Sequence, residues 1–339
     1  MSLRLRVTPS FPVMSRDVLP GCVFVLMLPL FLAPPVAAQA WPARPIRMIV
    51  PVAPGGGADI TSRLVAQKLS ERFGQQVVVD NRSGAGGIVG LEMLARATPD
   101  GYTISQGGVG PLAVNPSLYA KLPYDPLKDF APILRAVSAL NVLVVHPSVP
   151  VHSVKDLIAF ARANPNKLNY GSSGAGRADH LAGELFSMMA GVRMQHVPYK
   201  GGGPAMTDLV GGNLQLIFAT VSTAASHIKS GKIRTIANTS AVRSDLFPDL
   251  PTIAESGLPG FAIDNWYSFI APAGTPASII DTLNVEIARA LALPDVKERL
   301  HGLGIVPFTT ARPAEFAQYL RAEIAKYAKL VKAVGITPE

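Results

Sequence analysis

The sequence predicts an α/β protein built as two lobes with a cleft between them, and three observations carry that prediction. From Trp41 onward, short β-rich runs alternate with helical patterns. The runs repeatedly end in glycine loops that feed a helix. The 339 residues also exceed the roughly 100–200 of a single domain.

Residues 1–40 read as a secretory leader. Arg4, Arg6 and Arg16 precede an apolar run from Val23 to Val36, and small residues follow around Ala38, Gln39 and Ala40. Cleavage is expected after Ala40 or Ala38. The run is shorter than the roughly 20 apolar residues of a membrane span and contains Pro29, Pro34 and Pro35, which argues against a permanent anchor. Leu19, Pro20, Gly21 and Cys22 precede the apolar run and do not follow it, so lipidation is discounted. Cys22 is the only cysteine. The processed chain would therefore have no thiol for nucleophilic catalysis, disulfides or cysteine metal sites.

Ile46 to Val50 form a strand that runs through Pro54, Gly55, Gly56, Gly57, Ala58 and Asp59 into a helix. Val65, Ala66, Leu69 and Phe73 share one face of that helix, while Gln67, Lys68 and Glu71 fall elsewhere. Glycine lets backbone approach a ligand, and the first helical turn offers unpaired N–H groups with partial positive charge. This junction is a seat for an anion, with a simple tight turn as the competing reading. It lacks both the Gly-Lys-Ser/Thr ending of a P-loop and the G-x-G-x-x-G spacing of a dinucleotide site, so neither ATP nor NAD is suggested, and no cofactor is expected.

A strand at Val77 to Val79 leads to a second glycine loop, Ser83 to Gly87. A turn at Thr98 to Gly101 precedes a strand at Tyr102 to Ser105, and a third glycine loop, Gly107 to Gly110, leads to Asn115 and Pro116. The rhythm points to a largely parallel sheet, and loops at the carboxyl ends of its strands can converge on one crevice. Asn141 to His146 is an apolar strand near which the first crossing between lobes is placed. Ser153 with Asp156 opens a capped helix to Ala163.

The second half repeats the pattern: a strand at Leu168 to Tyr170, the loop Ser172 to Arg177, and a helix from Ala178 to about Ala190. A strand at Met194 to Val197 then enters Gly201, Gly202 and Gly203. Leu214 to Phe218 is a strand, a helix ends at Gly231, and Ile233 to Ala237 reads as the return crossing. Thr252 and Glu255 form a capping pair, and the last helices start near Pro276, Pro294 and Pro313. The expected boundaries are 41–140 with 245–339 for lobe 1 and 141–244 for lobe 2. Two crossings favour a hinge that closes around a ligand.

The chain carries 31 Lys/Arg against 23 Asp/Glu, and the leader accounts for three of the former and one of the latter, leaving about +6. That balance suits anionic small molecules. The basic residues are scattered and not interleaved with aromatics, so nucleic acid is excluded as a partner. Ser172 or Ser173 with His180 and either Asp179 or Glu184 could form a hydrolytic triad. They share one local segment, however, and there is no G-x-S-x-G elbow. His146, His196 and His227 lack metal-binding spacing, so no metal site is expected. Asp59 could contact ligand or compensate a helix dipole; Lys200 could reach the cleft or be solvated. Trp266 and Tyr267 could line a pocket or fill the core.

Taken together, the loops resemble the Bordetella uptake gene, or Bug, receptors, the periplasmic solute receptors of tripartite tricarboxylate transporters. The resemblance rests on Trp41-Pro42 with Arg44-Pro45-Ile46, Pro54-Gly55-Gly56-Gly57 with Asp59 and Arg63, Asn81-Arg82 with Gly84-Ala85-Gly86-Gly87, and Pro99-Asp100-Gly101-Tyr102-Thr103. It continues through Asn115-Pro116-Ser117-Leu118-Tyr119, Tyr124-Asp125-Pro126, Ser172-Ser173-Gly174, His180-Leu181 and His196-Val197-Pro198-Tyr199-Lys200-Gly201. Pro251-Thr252 with Glu255 and Ala271-Pro272-Ala273-Gly274-Thr275-Pro276 complete it. Each piece alone is nonspecific, but together they cover nearly all of the chain beyond the leader.

The resemblance implies a type II periplasmic-binding-protein-like fold, two α/β lobes with two crossover strands, enclosing a small carboxylate held by backbone amides, hydroxyls and water. Carried over by position, the ligand contacts are Gly55, Gly56, Gly57 and Asp59, with Gly107 and Asn115 nearby, and Ser172, Ser173, Gly174, Gly176 and Arg177 from the second lobe. It further implies a periplasmic, non-enzymatic receptor whose partners are integral membrane transporter subunits, or none if it is an orphan. A monomer is expected, although no long apolar heptad or interface stripe speaks to oligomeric state. A sensor for a signalling partner and an exported α/β hydrolase are the alternatives. Two positions depart from the family's usual pattern. Arg177 stands where a small hydroxyl residue is common, and Ala219 where an acidic residue is common. A guanidinium gained and a carboxylate lost suggest a purely anionic guest, such as a dicarboxylate, and not an amino acid; the competing reading sends Arg177 to solvent and makes Ala219 a matter of pocket size.

Overall fold

The computed structural model describes residues 8–12, 41–308 and 312–335. Most of the expected leader, Cys22 included, lies outside the described residues. The segment from Ala40 to Glu339 forms one compact unit.

Its strands are β1 (Ile46–Val50), β2 (Val77–Asn81), β3 (Thr103–Gly108), β4 (Phe130–Ala139), β5 (Asn141–Val145), β6 (Asn169–Ser172), β7 (Gln195–Pro198), β8 (Leu216–Thr220), β9 (Arg234–Asn238), β10 (Trp266–Pro272) and β11 (Ile305–Pro307). Its helices are α1 (Gly57–Phe73), α2 (Ile88–Ala95), α3 (Asn115–Leu118), α4 (Val154–Ala163), α5 (Ala178–Ala190), α6 (Gly202–Val210), α7 (Val221–Lys229), α8 (Ala277–Ala292), α9 (Pro294–His301) and α10 (Pro313–Ala333).

The strands form two sheets, in the orders β11-β4-β10-β3-β1-β2 and β7-β6-β8-β5-β9. The expected largely parallel sheet is corrected here: both sheets are mixed. β1 pairs in parallel with β2 and β3, and β6 with β7 and β8. β10 runs antiparallel to β3 and β4, and β5 antiparallel to β8 and β9. Strands that continue from one sheet into the other enter against the local direction, which helix-crossover logic for a single sheet does not anticipate. β4 in the first sheet and β5 in the second are separated by Leu140 alone. Both main-chain groups of Leu140 are tied: its N–H donates to Gly304 O at 2.8 Å and its carbonyl accepts Val221 N–H at 2.9 Å.

Strand alternation divides the core. Ile46, Met48 and Val50 of β1 pack with Val65 and Leu69 of α1 and with Leu283 and Ile287 of α8. Ile49, between them, faces the opposite way, into a core shared with Leu91 of α2 and Phe316 of α10. β5 does the same, sending Val142 and Val144 to α6 and α7 and Leu143 and Val145 to α4 and α5. Helix starts follow local chemistry. α4 begins at Ser153, whose Oγ accepts Asp156 N–H at 3.1 Å, and α10 begins on Pro313 at the first helical position. Thr252 and Glu255 make the reciprocal bonds of a capping box, at 3.0 and 2.9 Å, but close a turn and no helix follows.

Candidate functional site

A cavity lies where the carboxyl ends of β1, β3 and β8 meet loops of both sheets. It measures about 60 Å³, several times the ~10–15 Å³ that admits one water. Four helices begin on its wall: α1 behind Gly56, α5 behind Arg177, α6 at Gly202 and α7 behind Thr220. At none of the four does the N-cap side chain accept a backbone N–H of the first turn. Each therefore presents N–H groups and the positive end of its dipole to the same small space, which suits an anion.

Side chains complete the wall. Asn265 Nδ2 donates to Asn141 Oδ1 at 3.0 Å, and Asn141 Nδ2 to Phe218 O at 3.1 Å, fixing both amides at the base of the cavity. Thr220 and Thr223 bring hydroxyls 3.2 Å apart, and Tyr267 adds a phenol. Two residues with ordinarily charged groups line the cavity, Arg177 and Asp179. Arg177 Nη2 donates to Pro51 O at 2.8 Å, reaching from the second sheet's loop to the first sheet's. Its Nε is shielded from water with no hydrogen-bond acceptor among the described residues. Burial pulls the guanidinium pKa down. Asp179 is 7 % exposed and accepts Ser173 N–H at 2.6 Å and His180 N–H at 3.0 Å. Burial pushes its carboxyl up against the opposing pull of Ser173 and Arg177.

Of the residues expected at the site, Gly56, Gly57, Ser173, Arg177 and Ala219 line the cavity. A Cβ on Gly57 would lie 2.7 Å from Ser222 Oγ and 3.1 Å from the Tyr267 hydroxyl, so glycine is what lets the α1 loop approach the α7 loop. The other expected residues shape the loops from behind. Gly55 is exposed and donates its N–H to Asp59 Oδ2 at 3.0 Å. Asp59 also holds Arg63 at 3.0 Å and Asn81 at 2.9 Å; burial raises its pKa, and these three partners more than reverse that. Gly107 packs under Leu112 and Ser268, leaving Gly108, Val109 and Gly110 on the wall. Asn115 is buried behind Gly176, and Gly174 lies beside Tyr199 O.

Ser172 is fully buried, off the cavity wall, and its Oγ sits 2.6 Å from His196 Nε2. His196 stacks on His180 with centroids 4.0 Å apart, and His180 Nδ1 accepts Gly176 N–H at 3.1 Å. Burial pulls His180 down to about 4 and, with His180 as neighbour, His196 down to about 3. This neutral pair braces the loop, and its one bound serine is sealed from the cavity. Sequence reasoning missed Asn141, Asn265, Thr220, Thr223 and Gly202, and weighed Asp179 only as a triad acid. Thr220 and Gly202 could have been found from the strand-to-helix junctions that hold them. The two asparagines are far apart in the chain and carry no local signal.

Residues 61–336 match the family described as the tripartite tricarboxylate transporter family receptor. The chain belongs to that family. It is 38 % identical to the protein BugT of Bordetella pertussis over 305 residues, spanning 90 % of this chain and 93 % of BugT. Among solved structures, the R. palustris protein Rpa4515 with adipate superposes with a TM-score of 0.85 at 39 % identity, covering 88 % of this chain and 100 % of that one. The periplasmic binding protein BugD superposes with a TM-score of 0.84 at 35 % identity, covering 88 % and 100 %. The expected fold, two α/β parts of the periplasmic-binding-protein type, is the fold of this family and of this chain. No helix among the described residues is long and apolar enough to cross a membrane.

Proposed function

We propose that this receptor captures a small organic carboxylate in the periplasm and presents it, chemically unchanged, to the membrane subunits of a tripartite transporter. The convergence of four uncapped helix N-termini and Arg177 on one cavity carries the reading. Adipate in Rpa4515, a relative of nearly the same length, supports the ligand class. In this account the amides behind Gly56 and Gly57 and the Arg177 guanidinium hold the anion, while Asp59, Gly174 and Gly176 hold the loops that present them. Lobe 1 comprises 41–140 and 245–339 and lobe 2 comprises 141–244, joined through Leu140 and the segment after β9. Residues 1–40 direct export and are removed.

Isothermal titration against a panel of mono- and dicarboxylates, with matched amines as controls, tests the ligand class. Saturable carboxylate binding without turnover of the recovered ligand is expected; binding of amines alone overturns the proposal. Arg177→Ala should weaken carboxylate binding by about 10-fold or more through loss of a charge-assisted bond. Arg177→Lys should recover only part, because lysine keeps the charge and loses the planar fork. Unchanged affinity in both variants would remove Arg177 from the site.

A further inference from the structure

Asp179 is out of place in a cavity built for an anion alone. The wall is otherwise electropositive, made of four helix N-termini and the Arg177 guanidinium, yet a buried carboxylate faces the same space. Its oxygens accept the N–H groups of Ser173 and His180 and the Ser173 hydroxyl, which fix its orientation and leave about one acceptor position for a guest, since a carboxylate accepts at about four. Arg177 lies two residues away, but its Nη2 is committed to Pro51 O across the cavity. The cavity thus has a cationic side and one anionic point on the start of the same helix. The Ser173 and His180 hydrogen bonds and the nearby Arg177 guanidinium favour the ionised form of Asp179 against the burial that opposes it, and in that form a guest with carboxylates and nothing else meets like charge there.

We infer that Asp179 is a specificity-determining residue that selects carboxylates carrying a hydrogen-bond donor, a hydroxyl or an ammonium, close to the carboxylate held by Arg177 and the helix termini. This rests on the carboxylate reading above and changes one expectation drawn from the sequence. In this reading the carboxylate absent at Ala219 is supplied by Asp179 from a different wall, so the guest carries a donor, and an amino acid is admitted beside hydroxy acids. A site built to accept a donor rejects the analogue lacking it, because the buried acceptor is then left unpaired.

Titration of the full receptor with two matched triads tests this: succinate, malate and aspartate, and glutarate, 2-hydroxyglutarate and glutamate. In each triad the hydroxyl or the ammonium member should bind about 10-fold or more tightly than the unsubstituted diacid, and the better of the two identifies the donor. In Asp179→Asn the preference should shrink to within about threefold and the unsubstituted diacids should bind more tightly, as like-charge repulsion is removed. Asp179→Ser, which keeps a capping oxygen for the Ser173 amide, serves if the amide variant does not fold. Unsubstituted diacids binding as tightly as their substituted partners in the wild-type receptor overturn the inference and leave the carboxylate reading standing. A donor preference that survives in the variant removes Asp179 as its source. Failure of every carboxylate to bind overturns the underlying reading and this inference with it.

Discussion

At the scale of single residues, the cavity depends on groups that never touch it. Asp59, itself buried, gathers the Gly55 N–H, Arg63 and Asn81 behind the first glycine loop. Asp59→Ala removes the charged acceptor shared by the Gly55 amide, the Asn81 amide and Arg63, and should lower unfolding free energy by about 1–3 kcal/mol in urea titration. The His180–His196 stack gives a pH signature whose sign follows from its depressed values of about 4 and about 3. An unfolded histidine titrates near ~6.5, so between about 6.5 and the folded values the unfolded chain binds more protons. The stability is fully present above that window and is lost as pH falls through it, by up to ~1.4 kcal/mol per pH unit for each group. Melting temperature should drop from pH 6.5 to pH 4, and His196→Gln should flatten the drop. An unaltered profile would show that the pair is not neutral in the fold. Arg177 and Asp179 were visible as residues in the sequence, but not their directions, because those depend on Pro51 and Ser173 from other turns of the chain.

Elements were legible where local chemistry decides them. The helix Ala178–Ala190 and the strand Ile46–Val50 have the predicted bounds, and the Ser153 cap begins α4 as its Ser-x-x-Asp spacing requires. β4, β10 and β11 were not legible, because their partners lie far away in sequence and their alternation is broken by Pro132, the bulges of the β4–β10 pairing and short length. The starts of α1, α5, α6 and α7 are the elements that matter for binding. Gly57→Ala keeps a helix-compatible residue at the first of these but drives a methyl to 2.7 Å from Ser222 Oγ. It should weaken ligand binding by about 10-fold with melting temperature nearly unchanged, since the α1 and α7 loops could no longer close to their present spacing. Equal affinity in titration would mean that the two loops yield without cost.

Across the whole molecule, two mixed sheets share a continuous apolar core while their loops meet over the cavity: Ala53 N–H donates to Lys200 O at 3.3 Å and Arg177 to Pro51 O. A guest that bridges these loops should stabilise the closed arrangement. Small-angle scattering should show a smaller radius of gyration on adding a carboxylate proven to bind, and an unchanged radius would argue against closure. The two-part architecture was legible because the strand, loop and helix pattern occurs twice. The mixed pairing was not, since direction within a sheet is a property of the return path. Leu140 joins these observations. Its amide is anchored at Gly304 beside β11 and its carbonyl at the first residue of α7, the helix that carries Thr223 to the cavity wall beside Thr220. A change of angle between the two sheets at this junction would therefore have to carry those hydroxyls with it.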